Sequence, residues 1–203
     1  IGNCAYSDIT VFSFHPVKIV TTAEGGMALC NDAGLAEKME LYRSHGITRD
    51  PGLMTHASDG PWYYQQIILG YNYRMTDLQA ALGISQMQRL GDYIARRHAI
   101  ADRYNRDLAN LPLILPAQAD FSHSAYHLYV IEVDKRKELY DFLLSRNISS
   151  QIHYIPVHLM PYYKQKGFKK GDFPLAEKYY EKCISLPIFP TLSKAEQYYV
   201  CLF

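Results

Sequence analysis

No apolar run in this sequence approaches the roughly 18 residues a membrane-spanning helix needs, so no such helix is expected. No stretch has the pattern of a secretory signal either. Charge of one sign is not in excess: 21 Lys and Arg against 20 Asp and Glu leave a formal charge of +1. That balance gives no reason to expect nucleic acid or an anionic membrane as partner. The 4 cysteines (Cys4, Cys30, Cys183 and Cys201) contain no close pair. They read as reduced, buried thiols of a cytoplasmic protein rather than as a disulfide frame. Metal-ligand spacing is missing as well. His153 and His158 lack a third ligand, and His123 and His127 straddle a predicted strand start, so no metal is expected. Neither an internal repeat nor a low-complexity tract occurs.

What the chain does have is apolar matter enough for a core. Its 203 residues, 48% of them hydrophobic, suffice for one large domain or two small ones. At this size roughly 70% of the unfolded surface is buried without any staple. The 18 tyrosines crowd around Tyr63, Tyr71, Tyr162 and Tyr179. Rings with a polar tip suit pockets and subunit interfaces, although the plain reading is core packing with hydroxyls at the surface. Periodicity predicts strands over 8–14 and 26–31, then a helix over 33–44 capped by Asp32 and ended by Gly46. Residues 47–69 show no clean period, and Pro51, Gly52, Asp59, Gly60 and Pro61 mark a long irregular loop. Thr76 caps a long helix reaching to residue 108, which Gly83 and Gly91 bend or divide in two. Pro112 and Pro116 then signal a change of segment. A strand over 126–133, a helix over 135–147, a strand over 148–154 and short helices over 175–184 and 194–203 follow. This order predicts the end of a large α/β domain over 1–88, and over 89–203 the long connecting helix with a small α+β domain.

The most specific local pattern is Ser13-Phe14-His15-Pro16-Val17-Lys18, closed by Glu24-Gly25-Gly26. Pro16 has no N–H to donate, so the strand stops there. Lys18 is thus delivered on a loop just past a strand end, where open α/β sheets keep their ligand crevices. Its apolar neighbours Val17, Ile19 and Val20 make the charged form costly and favour the neutral, nucleophilic amine. Such an amine forms a Schiff base with a carbonyl, and pyridoxal phosphate is the commonest such partner in enzymes. On periodicity alone, a solvated surface lysine remains the commoner outcome.

These residues, continued by Thr21-Thr22-Ala23-Glu24-Gly25-Gly26-Met27, resemble the lysine segment of the DegT-like sugar-nucleotide aminotransferases. Further matching words follow in order: Arg43-Ser44-His45-Gly46, Gly70-Tyr71-Asn72-Tyr73-Arg74-Met75-Thr76-Asp77, and Gln79-Ala80-Ala81-Leu82-Gly83. Later come Ala125-Tyr126-His127-Leu128-Tyr129, His153-Tyr154-Ile155-Pro156-Val157-His158 and Leu186-Pro187. The resemblance implies the α/β fold of aspartate-aminotransferase-like, fold type I enzymes with pyridoxal 5'-phosphate as cofactor. It implies transfer of an amino group from L-glutamate to the C4 ketone of a nucleotide-linked 4-keto-6-deoxy sugar. The wording is nearest to members acting on UDP-linked sugars on the route to pseudaminic acid.

The resemblance also assigns residues. Lys18 becomes the catalytic lysine that holds the cofactor and carries the proton; dehydratase relatives place a histidine there, so the lysine argues for transamination. Ser13 and Asn72 join Lys18 as cofactor ligands, Asn72 reaching the phosphate of the neighbouring subunit in a homodimer with shared sites. An amide beside a helix N-terminus suits a phosphate in its own right, and Arg74 pairs either with a phosphate or with Asp77. Asn72, Gln151, His153, Tyr154 and Pro156 are the substrate-binding candidates. Strand alternation sends His153 and Ile155 to one face with Gln151, and Tyr154 to the other.

The family carries a long N-terminal portion ahead of this point, with a phosphate-binding turn, a ring-stacking aromatic and an aspartate for the ring nitrogen. The start at Ile1 and the stop at Phe203 inside a predicted helix both read as cuts. A competing expectation is therefore a non-catalytic C-terminal fragment that folds and dimerises without holding the cofactor. A third keeps the enzyme class and changes the sugar, to a 4-keto-pentose or a deoxythymidine-linked hexose.

Overall fold

The run Thr10-Val11-Phe12-Ser13 forms strand β1 (Thr10–Ser13), paired antiparallel with β2 (Gly26–Leu29) so that Thr10 lies opposite Leu29 and Ser13 opposite Gly26. This pairing belongs to a computed structural model that describes residues 2–203. Ile1, where the sequence reads as cut, lies outside the described residues. Helix α1 (Ala33–Arg43) starts at Asp32, whose Oδ1 accepts the Leu35 N–H at 2.7 Å. It ends at Arg43, and after the cap Ser44 the chain turns away through His45 (φ +64°) and Gly46 (φ +68°). A Cβ on Gly46 would collide with the Ile68 carbonyl, and one on Gly70 with the Gly46 nitrogen. The two glycines let their backbones touch. That contact lets residues 71–73 bond to the end of α1: Tyr71 N–H donates to Tyr42 O (2.7 Å) and Tyr73 N–H to Arg43 O (2.9 Å).

The predicted loop over 47–69 closes on a short antiparallel ladder, β3 (Ile47–Thr48) with β4 (Gln65–Gln66). Its order comes from polar bonding. The buried Gln65 side chain accepts from the Thr55 N–H and hydroxyl and donates to His56 O. Helix α2 (Asp77–Gln88) opens on a capping box formed by Thr76 and Gln79. The long helix expected from the sequence is two helices, α2 and α3 (Leu90–Asp107), and neither glycine makes the break. Arg89 does: its N–H closes on Gln86 O and its guanidinium reaches back to Ser85. The chain divides at the same place into a unit ending at Arg89 and a unit Leu90–Phe203.

The first unit has little core. Among the described residues its buried side chains are the polar Thr22, Thr48 and Gln65, while the buried apolar residues all belong to the second unit. Val11, Met27, Leu78, Ile84 and Met87 stand exposed. A hairpin with flanking helices does not supply enough surface to cover them.

In the second unit, Arg97, Ile100, Ala101 and Tyr104 share the buried face of α3. They join Tyr129 and Ile131 of β5 (Tyr129–Glu132) and the whole of β6 (Cys183–Leu186), which pairs antiparallel with β5. Helix α4 (Arg136–Ser145) adds Leu143. The chain continues through a 3₁₀ turn (Val157–Leu159), α5 (Pro161–Lys164), α6 (Pro174–Lys182) and α7 (Lys194–Cys201), the last capped by Ser193. The buried Arg97 guanidinium donates to the Tyr126 and Ile188 carbonyls, and Tyr104 donates to Pro187 O. Leu143 is 2% exposed. Leu143→Ala is therefore expected to lower stability by about 2–5 kcal/mol, read from the urea midpoint.

Several expectations need correction. The helix predicted over 175–184 stops at Lys182, and Cys183 and Ile184 begin β6, because their fully buried run completes a ladder with β5. The strand predicted over 148–154 is reduced to one bridge, Gln151 to Ser185, beyond which His153 reaches β6 with its ring instead of its backbone. Of the cysteines only Cys183 is buried, although all are free. Burial raises its thiol pKa and pushes that of Cys201 up to about 11, so both stay protonated at neutral pH. Among the described residues no helix is long and apolar enough to cross a membrane.

Candidate functional site

Past the end of β1 the Lys18 loop is tied at its base. Phe14 N–H donates to Gly25 O (2.8 Å), and Phe14 O accepts from Thr22 N–H (3.0 Å) and the Thr21 hydroxyl (3.1 Å). Glu24 O accepts from the buried Thr22 hydroxyl at 2.7 Å and from Gln79 Nε2 of α2 at 3.0 Å. Within this frame His15-Pro16-Val17-Lys18 is a turn closed by Lys18 N–H to His15 O at 2.9 Å. Pro16 holds the second position, where its fixed φ suits a turn.

Lys18 is half-buried, and among the described residues its amine has no hydrogen-bond or ion-pair partner. The apolar cover expected around it is incomplete, since Val17 faces outward and only Ile19 and Val20 are half-buried. Ser13 Oγ, at the mouth of the loop, accepts a long bond from His15 N–H (3.4 Å) and leaves its own proton uncommitted.

Asn72 belongs to the same unit. It forms an isolated bridge with Ser44, and its neighbours' backbone bonds to the end of α1 fix it in place. Arg74 Nε donates to Asn72 Oδ1 at 2.9 Å, which leaves the amide nitrogen of Asn72 free to donate outward. The structure pairs Arg74 with Asn72 and shows no bond from it to Asp77 among the described residues. No hydrogen bond joins Asn72 to Ser13 or Lys18 among the described residues. Lys18 and Ser13 suit a phosphorylated aldehyde, as an amine without an acidic partner and a hydroxyl with a free proton, and Asn72 offers a separate oriented amide.

The remaining candidates lie in the second unit. Gln151 exchanges backbone bonds with Ser185 (3.2 and 2.7 Å), and His153 Nδ1 shares a 2.7 Å hydrogen bond with the Ser185 hydroxyl. Both residues are therefore tied to one position of β6. Tyr154 is exposed, its ring set edge-on to that of His153, and Pro156 is half-buried.

One pair was not singled out from the sequence. His158 Nε2 donates to Glu177 Oε1 at 2.8 Å, and both side chains are buried. Hydrogen bonds from His158 and from the Gly171 N–H hold the Glu177 carboxyl below the usual carboxylate range. A signal existed: Phe173, Glu177 and Tyr180 recur at helical spacing, which puts the carboxylate on the inner face of α6.

Comparison with known proteins adds the following. The family profile described as "DegT/DnrJ/EryC1/StrS aminotransferase family" matches residues 1–202. The spore coat polysaccharide biosynthesis protein SpsC of Bacillus subtilis is 42% identical over 195 residues, covering 92% of this chain and 50% of that protein. The UDP-4-amino-4,6-dideoxy-N-acetyl-beta-L-altrosamine transaminase of Campylobacter jejuni is 33% identical, covering 89% of this chain and 47% of that protein. The sugar aminotransferase Spr1654 of Streptococcus pneumoniae, described as putative, superposes in its PMP form with a TM-score of 0.89 at 31% identity. That match covers 98% of this chain and 51% of the other; the PLP form superposes at 0.88. The fold is thus that of the fold type I sugar aminotransferases, and the chain spans about half the length of the curated relatives it matches.

Proposed function

Because this chain belongs to the DegT/DnrJ/EryC1/StrS aminotransferase family, we propose that the complete protein moves an amino group from L-glutamate to the C4 ketone of a UDP-linked 4-keto-6-deoxy sugar. The observation that carries this reading is the family match over residues 1–202. It is supported by Lys18, the lysine the sequence resemblance assigns to the cofactor, lying on a turn closed by its N–H to His15 O. Glutamate leaves as 2-oxoglutarate, and the ketone oxygen is replaced by an amine. Pyridoxal phosphate, when bound, supplies the electron-withdrawing ring that lets the carbon bearing the nitrogen give up its proton.

The chain's own residues have distinct tasks. Lys18 Nζ binds the cofactor covalently between turnovers and, once displaced, takes and returns that proton as a general base and acid. Ser13 donates its free hydroxyl proton to the cofactor phosphate. The Asn72 amide nitrogen donates to a phosphate of the neighbouring subunit's site and to the substrate. Gln151, His153, Tyr154 and Pro156 contact the sugar nucleotide. A homodimer is supported by the exposed Val11, Met27, Leu78, Ile84 and Met87 of the first unit, apolar surface that needs cover. The cytoplasm suits an enzyme with free cysteines and charged soluble substrates.

The choice of UDP and of a 6-deoxyhexose rests on the likeness to the Campylobacter transaminase. The test incubates the complete protein with pyridoxal phosphate, glutamate and, in separate arms, a UDP-4-keto-6-deoxyhexose, a UDP-4-keto-pentose and a deoxythymidine-linked 4-keto-hexose. Equal amounts of 2-oxoglutarate and amino sugar are expected, with kcat/KM at least about tenfold higher for the first substrate. Preference for another arm replaces the sugar; no transfer in any arm removes the activity.

A further inference from the structure

After Pro156 the chain makes a lobe with almost no interior: every residue from 160 to 176 is exposed. Two turns in it run through Gly167 (φ +98°) and Gly171 (φ +95°). The lobe is closed by the one acid–base pair with both side chains buried among the described residues, His158 with Glu177. Glu177 Oε1 collects two donors, His158 Nε2 at 2.8 Å and the Gly171 N–H at 2.7 Å. Glu177 N–H bonds back to Phe173 O, and the Phe173 ring packs edge-on against His158 at 4.8 Å. One carboxylate oxygen therefore holds the 3₁₀ turn, the Gly171 turn and α6 together.

A buried carboxylate is an expensive way to join a turn to a helix, since an apolar contact of the same size serves stability as well. What the polar pair adds is registry, because its donors must meet one oxygen. That registry is passed on through the backbone. His158 sits inside the turn whose Leu159 N–H donates to Pro156 O at 2.9 Å. At the other end of the same segment, Gln151 and His153 are fixed to Ser185. Tyr154, Ile155 and Pro156 are thus spanned between two anchors, Ser185 and Glu177.

We infer that His158 and Glu177 are positioning residues for the sugar-nucleotide half of the reaction, holding Tyr154 and Pro156 in the shape that receives the substrate. This rests on the function proposed above. The residues assigned to the cofactor lie in the other unit, so loss of the pair is expected to spare the glutamate half-reaction.

The test uses the complete protein loaded with pyridoxal phosphate and reads the halves separately. Visible absorbance is lost on adding glutamate and returns on adding a UDP-4-keto-6-deoxyhexose to the aminated form. In Glu177→Ala, half-saturation by the sugar nucleotide is expected to rise at least about tenfold, with the glutamate half within about twofold of the unaltered protein. Glu177→Gln keeps an oxygen for the Gly171 N–H and for His158, and recovers most of the loss. Equal loss in both halves, an unchanged sugar half, or Gln behaving as Ala overturns the inference. A second readout needs no activity: trypsin cleavage after Lys164, Lys166, Lys169 and Lys170 is expected to quicken in Glu177→Ala and not in Glu177→Gln. Should the unaltered protein aminate no nucleotide sugar, the proposed function fails, and the trypsin comparison decides the clamp by itself. Unchanged cleavage then overturns it.

Discussion

Lys18→Ala is expected to abolish amino transfer, by far more than the roughly 10²–10⁴-fold that follows loss of a proton carrier. The larger effect is expected because the same Nζ atom is assigned two tasks, the covalent hold on the cofactor and the movement of the proton. Removing it takes away both. The structure keeps this reading separable from misfolding. The Lys18 side chain is half-buried and among the described residues makes no hydrogen bond or ion pair, while the loop around it is tied through Phe14, Thr22, Glu24 and Gln79. The variant's melting temperature is therefore expected to stay within a few degrees. In the unaltered complete protein, borohydride should bleach the visible absorbance and leave a pyridoxyl group on Lys18, located by peptide mass spectrometry. Lys18→Arg keeps a positive charge without a nucleophile and should be as inactive as the alanine variant. Transaminase activity surviving in either would sink the assignment.

The loop was legible because its determinants are local. Pro16 stops the strand, a short turn follows, and Thr22 and Glu24 close it within a dozen residues. The helix starts at Asp32 and Thr76 were readable for the same reason, each cap, like that of Ser193, reaching only three residues ahead. The cap at Ser193 was the one not drawn from the sequence, although the helix it begins was expected over 194–203. Where the determinant is distant, sequence reading went wrong. Cys183 and Ile184 continue the apolar pattern of α6, and only β5, some 50 residues earlier in the chain, turns them into a strand. Residues 148–154 have strand composition, but β6 accepts a backbone partner only at Gln151, and Ser185 engages His153 through its hydroxyl. The break between α2 and α3 carries neither glycine nor proline; Arg89 makes it by curling onto Ser85 and Gln86.

The site shows the same division. Ser13, Lys18 and Asn72, like His153, Tyr154 and Pro156, were found as words of a family, and Gln151 was added because strand alternation puts it on the face of His153. Pattern alone gave Lys18 a strand end and an amine, nothing more. The His158–Glu177 pair joins positions 19 residues apart; His158 stood in a family word and Glu177 in none, so nothing local in the sequence paired them. The exposed apolar side chains of the first unit were invisible as such, because composition reports how much apolar matter exists and not where it ends up.

Mixing inactive Asn72→Ala protein with inactive Lys18→Ala protein is expected to restore part of the activity, provided subunits exchange. If each site takes its lysine from one subunit and its asparagine from the other, a mixed dimer has one site with both defects and one with neither. Random exchange of equal amounts makes about half the dimers mixed, each with one intact site, so about a quarter of the unaltered activity should return. Asn72 is suited to act outward. Its oxygen is occupied by Arg74 Nε at 2.9 Å, its backbone neighbours are bonded to the end of α1, and its amide nitrogen has no partner among the described residues. Nor does any hydrogen bond join it to the Lys18 loop of its own chain among the described residues. Asn72→Asp gives a sharper version, because a carboxylate facing a phosphate repels it: cofactor affinity should fall further than in Asn72→Ala. Exchange is verified by native mass spectrometry of differently tagged subunits. Mixed dimers that form and stay inactive would place Asn72 in the site of its own subunit, or in none.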